Sequence, residues 1–389
     1  MRCKMALVPQ MGLDIIVEEV ELDDPGEYEV RLKVMTCTIC NSDVLAWTGE
    51  HGEYEGPGGA GHEIAGVVDA VGSKVTYVKP GDRVLCSEIR AGCGHCVQCL
   101  NGRPFFCENI PPMSFRVPSA MTRLNGERVI QTCSGTNGFS EYCNAYEGML
   151  CKIDDDIPFE IGSALACGFM SGFGAVLNRV KVKPAESFAV IGCGGVGLSA
   201  IMGARYSGAI PIIGIDTQEI KLEAAKKFGA THVINALEED AVHRVKEITG
   251  GPGVDHAFVA AAGKGIKRTA MDISADYGQV VVVGHGHHRN EFMEDINWFE
   301  LLAGRKLTGC VMGNLTLRRD IPKYMDMYRR GMVDIDGLLT HRFTLDQIKE
   351  AIDDSLHGAL KNVVYIGEEI PADKLHTAPL AGQKVSADA

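Results

Sequence analysis

Hydrophobic and polar residues alternate in short runs over roughly the first 150 positions of the chain. Three such runs are EYEVRLKVM at 27–35, EIAGVVDAV at 63–71 and DRVLCSEI at 82–89, with turn signals such as DDPGE and VKPGDRV between them. Short valine-rich and isoleucine-rich runs bounded by glycine and proline are typical of β-strands. The pattern predicts a mainly β, barrel-like domain with irregular loops.

A different pattern begins near residue 185, where apolar segments alternate with stretches of helical periodicity. SFAVIG at 187–192 is followed by GVGLSAIMGARYSG, PIIGID and TQEIKLEAAKKFGA, and later by GQVVVVG at 278–284. Strands separated by helices of this length form a parallel, doubly wound sheet. After about residue 315 we expect the chain to return to the first domain, with a strand NVVYIG at 362–367 and a surface tail beyond it.

Composition narrows the class of protein. The 389 residues carry a net charge of −13, and 46% of them are hydrophobic. The length suggests two or three domains. Without a cluster of lysine and arginine the chain is not expected to bind nucleic acid, and without a run of about 18 apolar residues it is not expected to span a membrane. No apolar stretch of signal-peptide length begins the chain, so the expected location is the cytoplasm.

Four of the 14 cysteines are clustered in CGHCVQCLNGRPFFC at 93–107. Four thiolates from one loop make a closed tetrahedral set that suits a structural zinc, and an iron–sulfur cluster is the alternative. Scattered cysteines such as Cys133 are expected to be small buried residues. A site with four cysteine ligands has no open position, so chemistry would need another metal site. The residues of the proposed structural site are Cys93, Cys96, Cys99 and Cys107.

The segment VIGCGGVG carries the spacing G-x-G-x-x-G at Gly192, Gly194 and Gly197, between an apolar strand and a helical pattern. In that context the glycines allow a tight turn, close approach of the backbone to a pyrophosphate, and close packing of helix on strand. Asp216 ends the next strand, where a carboxylate binds a ribose 2′-hydroxyl and favours NAD over NADP. A helix N-cap is its alternative role. Further cofactor contacts are assigned to Gly195, Val196 and Gly284.

A three-ligand metal site is indicated by Cys40, His62 and Cys167, in the segments TICNSD, GHE and ALACGFMSGFG. Two cysteines and one histidine, with a fourth position left to water, make one type of catalytic zinc site. Each residue alone has a structural alternative: a surface turn for the histidine, a buried thiol for Cys167, and a redox pair for Cys37 with Cys40. Their joint occurrence favours the metal site.

At these residues the sequence resembles the zinc-dependent medium-chain alcohol dehydrogenases. GHEIAGVVDAVGSKV at 61–75 fits the zinc signature of that family. Other segments fall where the family has them: VKPGDRV, the four-cysteine lobe, GCGGVG and LLAGRKLTG. The resemblance covers the chain to about residue 367. It implies an α/β protein with a Rossmann domain of doubly wound parallel sheet, at about 169–314, and a mainly β, GroES-like catalytic domain, at about 1–168 and 315–389.

The resemblance also implies the chemistry of the site. Zinc at the three ligands would lower the pKa of a bound alcohol as a Lewis acid, and a second zinc would occupy the lobe. Ser42 would accept the hydrogen bond of the alcohol and pass its proton towards the cofactor ribose, with hydride moving to NAD. Asp43 is expected to orient His62, Glu63 to lie behind the metal, and Lys221 to bind the adenosine ribose.

The segment at 108–138 has the length seen in the dimeric, liver-type branch of the family, so the resemblance predicts a homodimer. Several other positions depart from that branch. Asn41 replaces an arginine that contacts pyrophosphate, so faster release of NAD is expected. Leu45 replaces a histidine that relays protons, which makes His51 a candidate proton-exit base, with water as the alternative carrier. Ile89 replaces an aromatic residue, which predicts a site wider than an ethanol pocket.

The leading hypothesis is an NAD-dependent oxidoreductase of primary or secondary alcohols and the matching aldehydes or ketones. The alternative within the family is a dehydrogenase of thiol–formaldehyde adducts, which needs a basic pocket that the mostly acidic loops do not offer. A non-catalytic nucleotide-binding relative is the alternative from another class. Such relatives lack the active-site zinc, whereas all three ligands and Ser42 are present here.

Overall fold

The structure is a computed structural model, and it describes residues 1–50, 53–109, 117–133, 135–284 and 298–374. In chain order the strands are β1 (Arg2–Leu7), β2 (Ile16–Leu22), β3 (Glu29–Thr38), β4 (Gly58–Gly59), β5 (Glu63–Val71), β6 (Arg83–Cys86), β7 (Val117–Arg123), β8 (Arg128–Gln131), β9 (Tyr142–Tyr146), β10 (Leu150–Lys152), β11 (Phe188–Ile191), β12 (Ile212–Asp216), β13 (His232–Asn235), β14 (Val254–Val259), β15 (Ser274–Val282), β16 (Lys306–Gly309), β17 (His341–Thr344) and β18 (Asn362–Tyr365). The helices are α1 (Asn41–Trp47), α2 (Val97–Leu100), α3 (Phe159–Leu165), α4 (Gly168–Gly174), α5 (Gly195–Tyr206), α6 (Glu219–Phe228), α7 (Ala241–Thr249), α8 (Ile266–Ile273), α9 (Trp298–Leu302), α10 (Leu317–Arg329) and α11 (Ile348–Leu356).

Two sheets form the mainly β part of the described chain. One has the strand order β1-β2-β7-β8-β4, and the other has the order β10-β6-β5-β3-β18-β17, with β9 also paired to β3. Along β3 every second residue points into the core, and Val30, Leu32 and Val34 are fully buried. β18 pairs antiparallel with β3. A segment near the end of the chain therefore completes a sheet that begins near its start.

The third sheet of the described residues has six parallel strands in the order β13-β12-β11-β14-β15-β16. β11, one of its two central strands, is buried along its whole length, as expected when helices cover both faces of a parallel sheet. The strand order reverses next to β11, and ligands bind at the carboxyl ends of the strands at such a point. The predicted fold class, a Rossmann sheet beside a mainly β domain, is confirmed.

Helix α4 packs closely on the first helix of the Rossmann sheet. A Cβ atom on Gly172 would lie 2.0 Å from the carbonyl oxygen of Val196, so only glycine fits there. α4 continues into a π-helical turn at Ala175–Val180. No single helix of the described residues is long and apolar enough to cross a membrane. Helix α3 and the helix formed by α4 with its π-helical turn reach the necessary length and apolar composition only when they are counted as one span, and they are bent by 53° where they meet.

The segment after β18 is fastened to the fold. Glu160 of α3 is buried and accepts hydrogen bonds from Arg342 at 2.8 Å and from Tyr365 at 2.6 Å. Lys374 forms an ion pair with the same carboxylate. The first residues of the segment expected to be a surface tail are thus anchored, while residues 375–389 lie outside the described part of the chain.

Candidate active site and metal centres

The four-cysteine loop brings its sulfur atoms together. The Sγ atoms of Cys93, Cys96, Cys99 and Cys107 lie within 4.8 Å of one another. Cys93 and Cys99 are 4.0 Å apart, and Cys96 and Cys107 are 3.9 Å apart. A tetrahedral zinc with bonds of about 2.3 Å to sulfur places its ligands about 3.8 Å from one another. The four thiols therefore fit one zinc ion and fill its coordination.

Backbone N–H groups donate hydrogen bonds to sulfur atoms of this loop. The amide of Cys96 donates to the Cys93 sulfur at 3.4 Å, and the amide of Cys93 donates to the Cys107 sulfur at 3.3 Å. A hydrogen bond from the backbone of His95 lowers the pKa of Cys93 to about 6, and one from Cys99 lowers the pKa of Cys96. Thiolate is the form that binds zinc, so these hydrogen bonds favour the ligating form of Cys93 and Cys96. Burial raises the pKa of Cys99 to about 12, so that thiol would lose its proton only on binding the metal.

A second set of ligands is assembled from three distant parts of the chain. Cys40 precedes α1, His62 precedes β5 and Cys167 precedes α4. Their ligand atoms and a carboxylate oxygen of Glu63 all lie within 4.8 Å of one another. His62 is fully buried, and its Nε2 atom has no hydrogen-bond partner among the described residues. A buried nitrogen without a partner is unfavourable by about 1–3 kcal/mol, and a zinc ion held by the two thiols would satisfy it.

The two thiols of this set influence each other. A hydrogen bond from Cys167 lowers the pKa of Cys40 well below its usual value, and the same contact raises the pKa of Cys167. The Ser42 hydroxyl lies 3.2 Å from the Cys40 sulfur. Cys40 and Ser42 are partly exposed, whereas His62 and Cys167 are buried. The set therefore opens to solvent on the side that carries the serine hydroxyl.

Asp43 holds two of the ligands in place. Its Oδ1 atom lies 2.9 Å from Nδ1 of His62 and accepts the amide of Gly61 at 2.9 Å. Its Oδ2 atom accepts the amide of Cys40 at 3.1 Å. Such a carboxylate fixes the imidazole tautomer, so that Nδ1 carries the proton and Nε2 is left to bind metal.

Lys361 is a residue of this site that the sequence did not indicate. It is buried just before β18, with its ammonium group 2.5 Å from Glu63 and 3.2 Å from the carbonyl oxygen of Ile39. Burial alone would lower the pKa of Lys361, but Glu63, Cys40 and Cys167 together raise it above its usual value, so the lysine is cationic. Its Cδ atom would lie 3.7 Å from a Cβ at Gly195. Lys361 thus reaches from the metal ligands to the glycine turn.

Two further polar residues face the same imidazole. The Cys133 sulfur lies 3.4 Å from Nδ1 of His62, and an oxygen of Glu88 lies 3.8 Å from it. Cys133 is buried, as expected of a scattered cysteine, but it also touches a ligand of the candidate metal site. No motif contains either residue, so only the folded structure could place them here.

The glycine turn has the shape that a pyrophosphate needs. Gly192 has a φ of 94°, which a residue with a side chain rarely adopts. A Cβ on Gly197 would lie 1.8 Å from the carbonyl oxygen of Gly192. A Cβ on Gly194 would meet no described atom within 4 Å, so space is open beside it. Gly195 and Val196 form the partly exposed first turn of α5, where backbone N–H groups attract a phosphate.

Asp216 accepts backbone hydrogen bonds from the glycine turn and from the loop that leads into α6. One oxygen accepts the amide of Cys193 in the turn at 2.7 Å. The other accepts the amides of Thr217 and Gln218 at 2.7 and 3.0 Å. Asp216 is therefore not the helix N-cap, because Gln218 holds that position. Its carboxylate instead binds the amides of the loop between β12 and α6, beside the glycine turn. Lys221 lies in α6, and Gly284 follows β15 against the backbone of Ala260 and Ala261.

Sequence comparison agrees with this arrangement. Residues 26–155 match the alcohol dehydrogenase GroES-like domain, and residues 195–330 match the zinc-binding dehydrogenase domain. Alcohol dehydrogenase class-3 of Myxine glutinosa is 34% identical over 357 residues, which cover 90% of this chain and 94% of that protein. Alcohol dehydrogenase 1 of Pisum sativum is 33% identical over 366 residues, or 92% and 95% of the two chains. The chain belongs to the zinc-dependent medium-chain alcohol dehydrogenase family.

Solved structures of this family have the same fold. Benzyl alcohol dehydrogenase from Acinetobacter calcoaceticus superimposes with a TM-score of 0.86 at 32% identity, covering 94% of this chain and 99% of that one. An alcohol dehydrogenase zinc-binding domain protein from Burkholderia ambifaria gives the same TM-score at 30% identity and the same coverage. The chain is thus an oxidoreductase of the zinc alcohol dehydrogenase family, whose domains imply zinc and an NAD-type cofactor.

The structure also locates the residues that depart from the liver-type alcohol dehydrogenases. Asn41 is exposed at the start of α1, and Leu45 is buried in the same helix. Ile89 is 3% exposed. His51, the candidate proton-exit base, lies outside the described residues.

Proposed function

We propose that the protein is an NAD-dependent zinc alcohol dehydrogenase that interconverts a primary or secondary alcohol and the matching aldehyde or ketone. The observation that carries this proposal is the buried His62 Nε2 atom, which has no partner within the described chain and faces Cys40 and Cys167. Three protein ligands leave the fourth tetrahedral position of zinc to a substrate oxygen. A second, structural zinc would be held in the four-cysteine loop.

Each side chain of the site has its own role in the proposed reaction. Bound zinc would lower the pKa of a substrate hydroxyl as a Lewis acid, and the NAD-type cofactor would accept hydride. Ser42, whose hydroxyl lies 3.2 Å from the Cys40 sulfur, accepts the hydrogen bond of the substrate hydroxyl. As it takes that proton, it gives up its own hydroxyl proton towards the cofactor ribose. Asp43 binds the Nδ1 side of His62, so that the neutral imidazole presents the lone pair of Nε2 to the metal. The buried position of His62 and Cys167 keeps bulk water away from one side of the reacting centre.

The proton then has to leave from Ser42. Leu45 lies about one helical turn beyond Ser42 in α1; it is buried, and its side chain has no atom that can accept a proton. Either water or a base outside this helix must therefore take the proton from the serine side of the site. We keep His51 as the candidate base and water as the alternative.

A bulky alcohol is the substrate class that we favour. Ile89 stands where the liver-type branch often has an aromatic residue, and a smaller side chain leaves a wider pocket. The similarity to benzyl alcohol dehydrogenase from Acinetobacter calcoaceticus, at 32% identity across 94% of this chain, supports the same class. We therefore expect benzyl-type alcohols to be oxidised with a higher kcat/KM than ethanol.

The test is to measure NADH formation at 340 nm with ethanol, benzyl alcohol, a secondary alcohol and an S-hydroxymethyl thiol adduct, together with zinc per chain. We expect two zinc ions per chain and the highest kcat/KM with benzyl alcohol. A preference for the thiol adduct would favour the formaldehyde-adduct dehydrogenase. One zinc per chain without NADH formation from any alcohol would indicate the non-catalytic relative.

We further propose that the protein is a homodimer joined at the edge of the Rossmann sheet. β16 is the last strand of that sheet in the described chain, so one side of it has no paired strand there. Tyr277, Leu301 and Leu302 lie near its start and are 81%, 49% and 69% exposed. In a stable protein, an apolar sheet edge of this kind is buried against another protein surface. Light scattering should give the mass of a dimer, and Leu302→Glu should shift it towards a monomer.

A further inference from the structure

Met312 has a backbone conformation that a methionine rarely adopts. Met312, Gly313 and Asn314 have φ angles of 45°, 68° and 50°. This left-handed region is easy for glycine and tolerated by asparagine, but it strains a residue with a longer apolar side chain. Strain of this kind persists only where the surroundings impose it, and it is concentrated at functional sites.

The surroundings that impose it belong to helix α4 and its extension. A Cβ on Gly313 would lie 2.1 Å from the carbonyl oxygen of Met170, so the segment rests directly on α4. The side-chain amide of Asn178 donates to the carbonyl oxygen of Gly313 at 3.0 Å. The amide of Asn314 donates to the carbonyl oxygen of Val311 at 2.8 Å. The turn is thereby held against the helix that begins one residue after Cys167.

The side chain of Met312 ends at the candidate metal ligand. Its Sδ atom lies 3.9 Å from the Cys167 sulfur and 3.7 Å from the Ser171 hydroxyl. Methionine sulfur is polarisable and adapts to irregular space. A glycine at this position would remove the backbone strain, as at Gly313, but it would also remove this contact.

We propose that Met312 is a positioning residue that holds the Cys167 sulfur in the orientation in which it binds the metal. This inference rests on the proposed role of Cys167 as a ligand. Met312 follows β16, the last strand of the Rossmann sheet, so the contact also ties the nucleotide-binding region to the metal site. The strain is retained because an apolar side chain of this length is needed beside the ligand.

The test uses the zinc-loaded and the cobalt-substituted protein. Met312→Ala and Met312→Gly should release the buried-site zinc to a chelator roughly tenfold faster than wild type, since partners of metal ligands typically contribute 10- to 100-fold in metal affinity. The sulfur-to-cobalt charge-transfer band should shift in both variants. Met312→Leu keeps most of the bulk and should stay close to wild type. The lobe zinc, which Met312 does not touch, is an internal control.

A matched control separates positioning from backbone strain. Ala185 also has a left-handed φ, of 69°, and its amide donates to the carbonyl oxygen of Gly208, in a turn of the Rossmann region. Ala185→Gly relieves similar strain and should leave zinc release and the cobalt band unchanged. A Met312→Ala protein with wild-type zinc release and cobalt spectrum would overturn the proposal, as would a lower melting temperature without a spectral change. A wild-type protein with only the lobe zinc would instead contradict the proposed function.

Discussion

The two cysteine-rich sites of the chain are built in opposite ways. The lobe takes all four of its ligands from residues 93–107, and most of them are partly exposed. The buried site takes its ligands from positions 40, 62 and 167, next to three different elements. In the lobe, backbone amides donate to the sulfurs of Cys93 and Cys107, whereas the buried site is surrounded by the ionisable side chains Asp43, Glu63 and Lys361.

The difference follows from what each site has to do. A site that only fastens a loop is best closed and local, because it can form as soon as the loop folds around the metal. A site that performs chemistry needs an open coordination position on the metal and a fixed arrangement of polar groups around the ligands. Both require distant parts of the chain to be held rigidly. The five predictions below separate the two sites or the regions that support them.

The largest expected effect concerns chemistry at the buried site alone. Ser42→Ala should lower kcat by about 10²–10⁴, because it removes the hydroxyl that takes the substrate proton. Zinc content should stay at the wild-type value, since Ser42 is not a ligand. Ser42→Thr keeps a hydroxyl and should restore most of the rate. Equal kcat in the alanine and wild-type enzymes would show that the proton leaves by another route.

The lobe should respond in the reverse manner. Cys99→Ala removes one of four ligands and should lower zinc from two per chain towards one, with cleavage by protease inside the loop and a melting temperature lower by roughly 5 °C. Turnover per folded molecule should remain near wild type. Cys143→Ala, in a buried thiol outside both ligand sets, is the matched control. Full zinc and an unchanged melting temperature in the Cys99 variant would refute the structural role.

A third prediction concerns the ties that hold β18 and its buried lysine in place. Glu160→Gln should lower the free energy of unfolding by about 3 kcal/mol at pH 7, because it leaves Arg342 without its buried partner. Burial alone would raise the pKa of Glu160, but hydrogen bonds from Arg342, Lys374 and Tyr365 lower it. Its contribution is therefore present above the unfolded pKa and is lost as the pH falls through the lowered folded value.

Denaturant unfolding of the Glu160 variant at several pH values checks this. The difference from wild type should be full at pH 7 and shrink as the pH falls below about 4. Glu127→Gln, which breaks the more exposed ion pair with Arg123, should change stability little at any pH. A difference that grows towards low pH would contradict the assigned sign.

The fourth prediction lies outside both metal sites. Asp216→Ala should raise the KM for NAD by about tenfold or more and weaken discrimination against NADP, because a hydrogen bond to a charged group contributes about 1.5–3 kcal/mol. Asp240 accepts the amides of Val242 and His243 at the start of α7. Asp240→Ala likewise removes a carboxylate that accepts two backbone amides, and it should leave the KM for NAD unchanged. A wild-type enzyme that prefers NADP would disprove the assignment.

The smallest expected effect tests the route of the proton. If His51 is the exit base, His51→Gln should oxidise alcohol roughly tenfold more slowly below neutral pH and recover at high pH or with added imidazole. His243→Gln, in an exposed histidine of α7, serves as the control. An unchanged pH profile would leave water as the carrier.

The contrast between the sites also explains how much the sequence could reveal. The lobe ligands are set by local spacing, and the strand predicted at 63–71 is β5 with the same bounds. Lys361 could not be predicted because its partner Glu63 is far away in the chain and only the pairing of β18 with β3 brings them together. The left-handed backbone conformation of Met312 could not be predicted for a similar reason, because it depends on helix α4 packing against that turn.

The most direct test of the account is to add zinc back to chelated protein and follow NADH formation from benzyl alcohol against bound zinc. We predict two zinc ions per chain at saturation, with activity that appears only as the buried site fills. Cys167→Ser, which keeps the lobe intact, should bind the lobe zinc and show no activity at any zinc concentration. Activity that is independent of zinc, or a Cys167→Ser enzyme as active as wild type, would contradict the account.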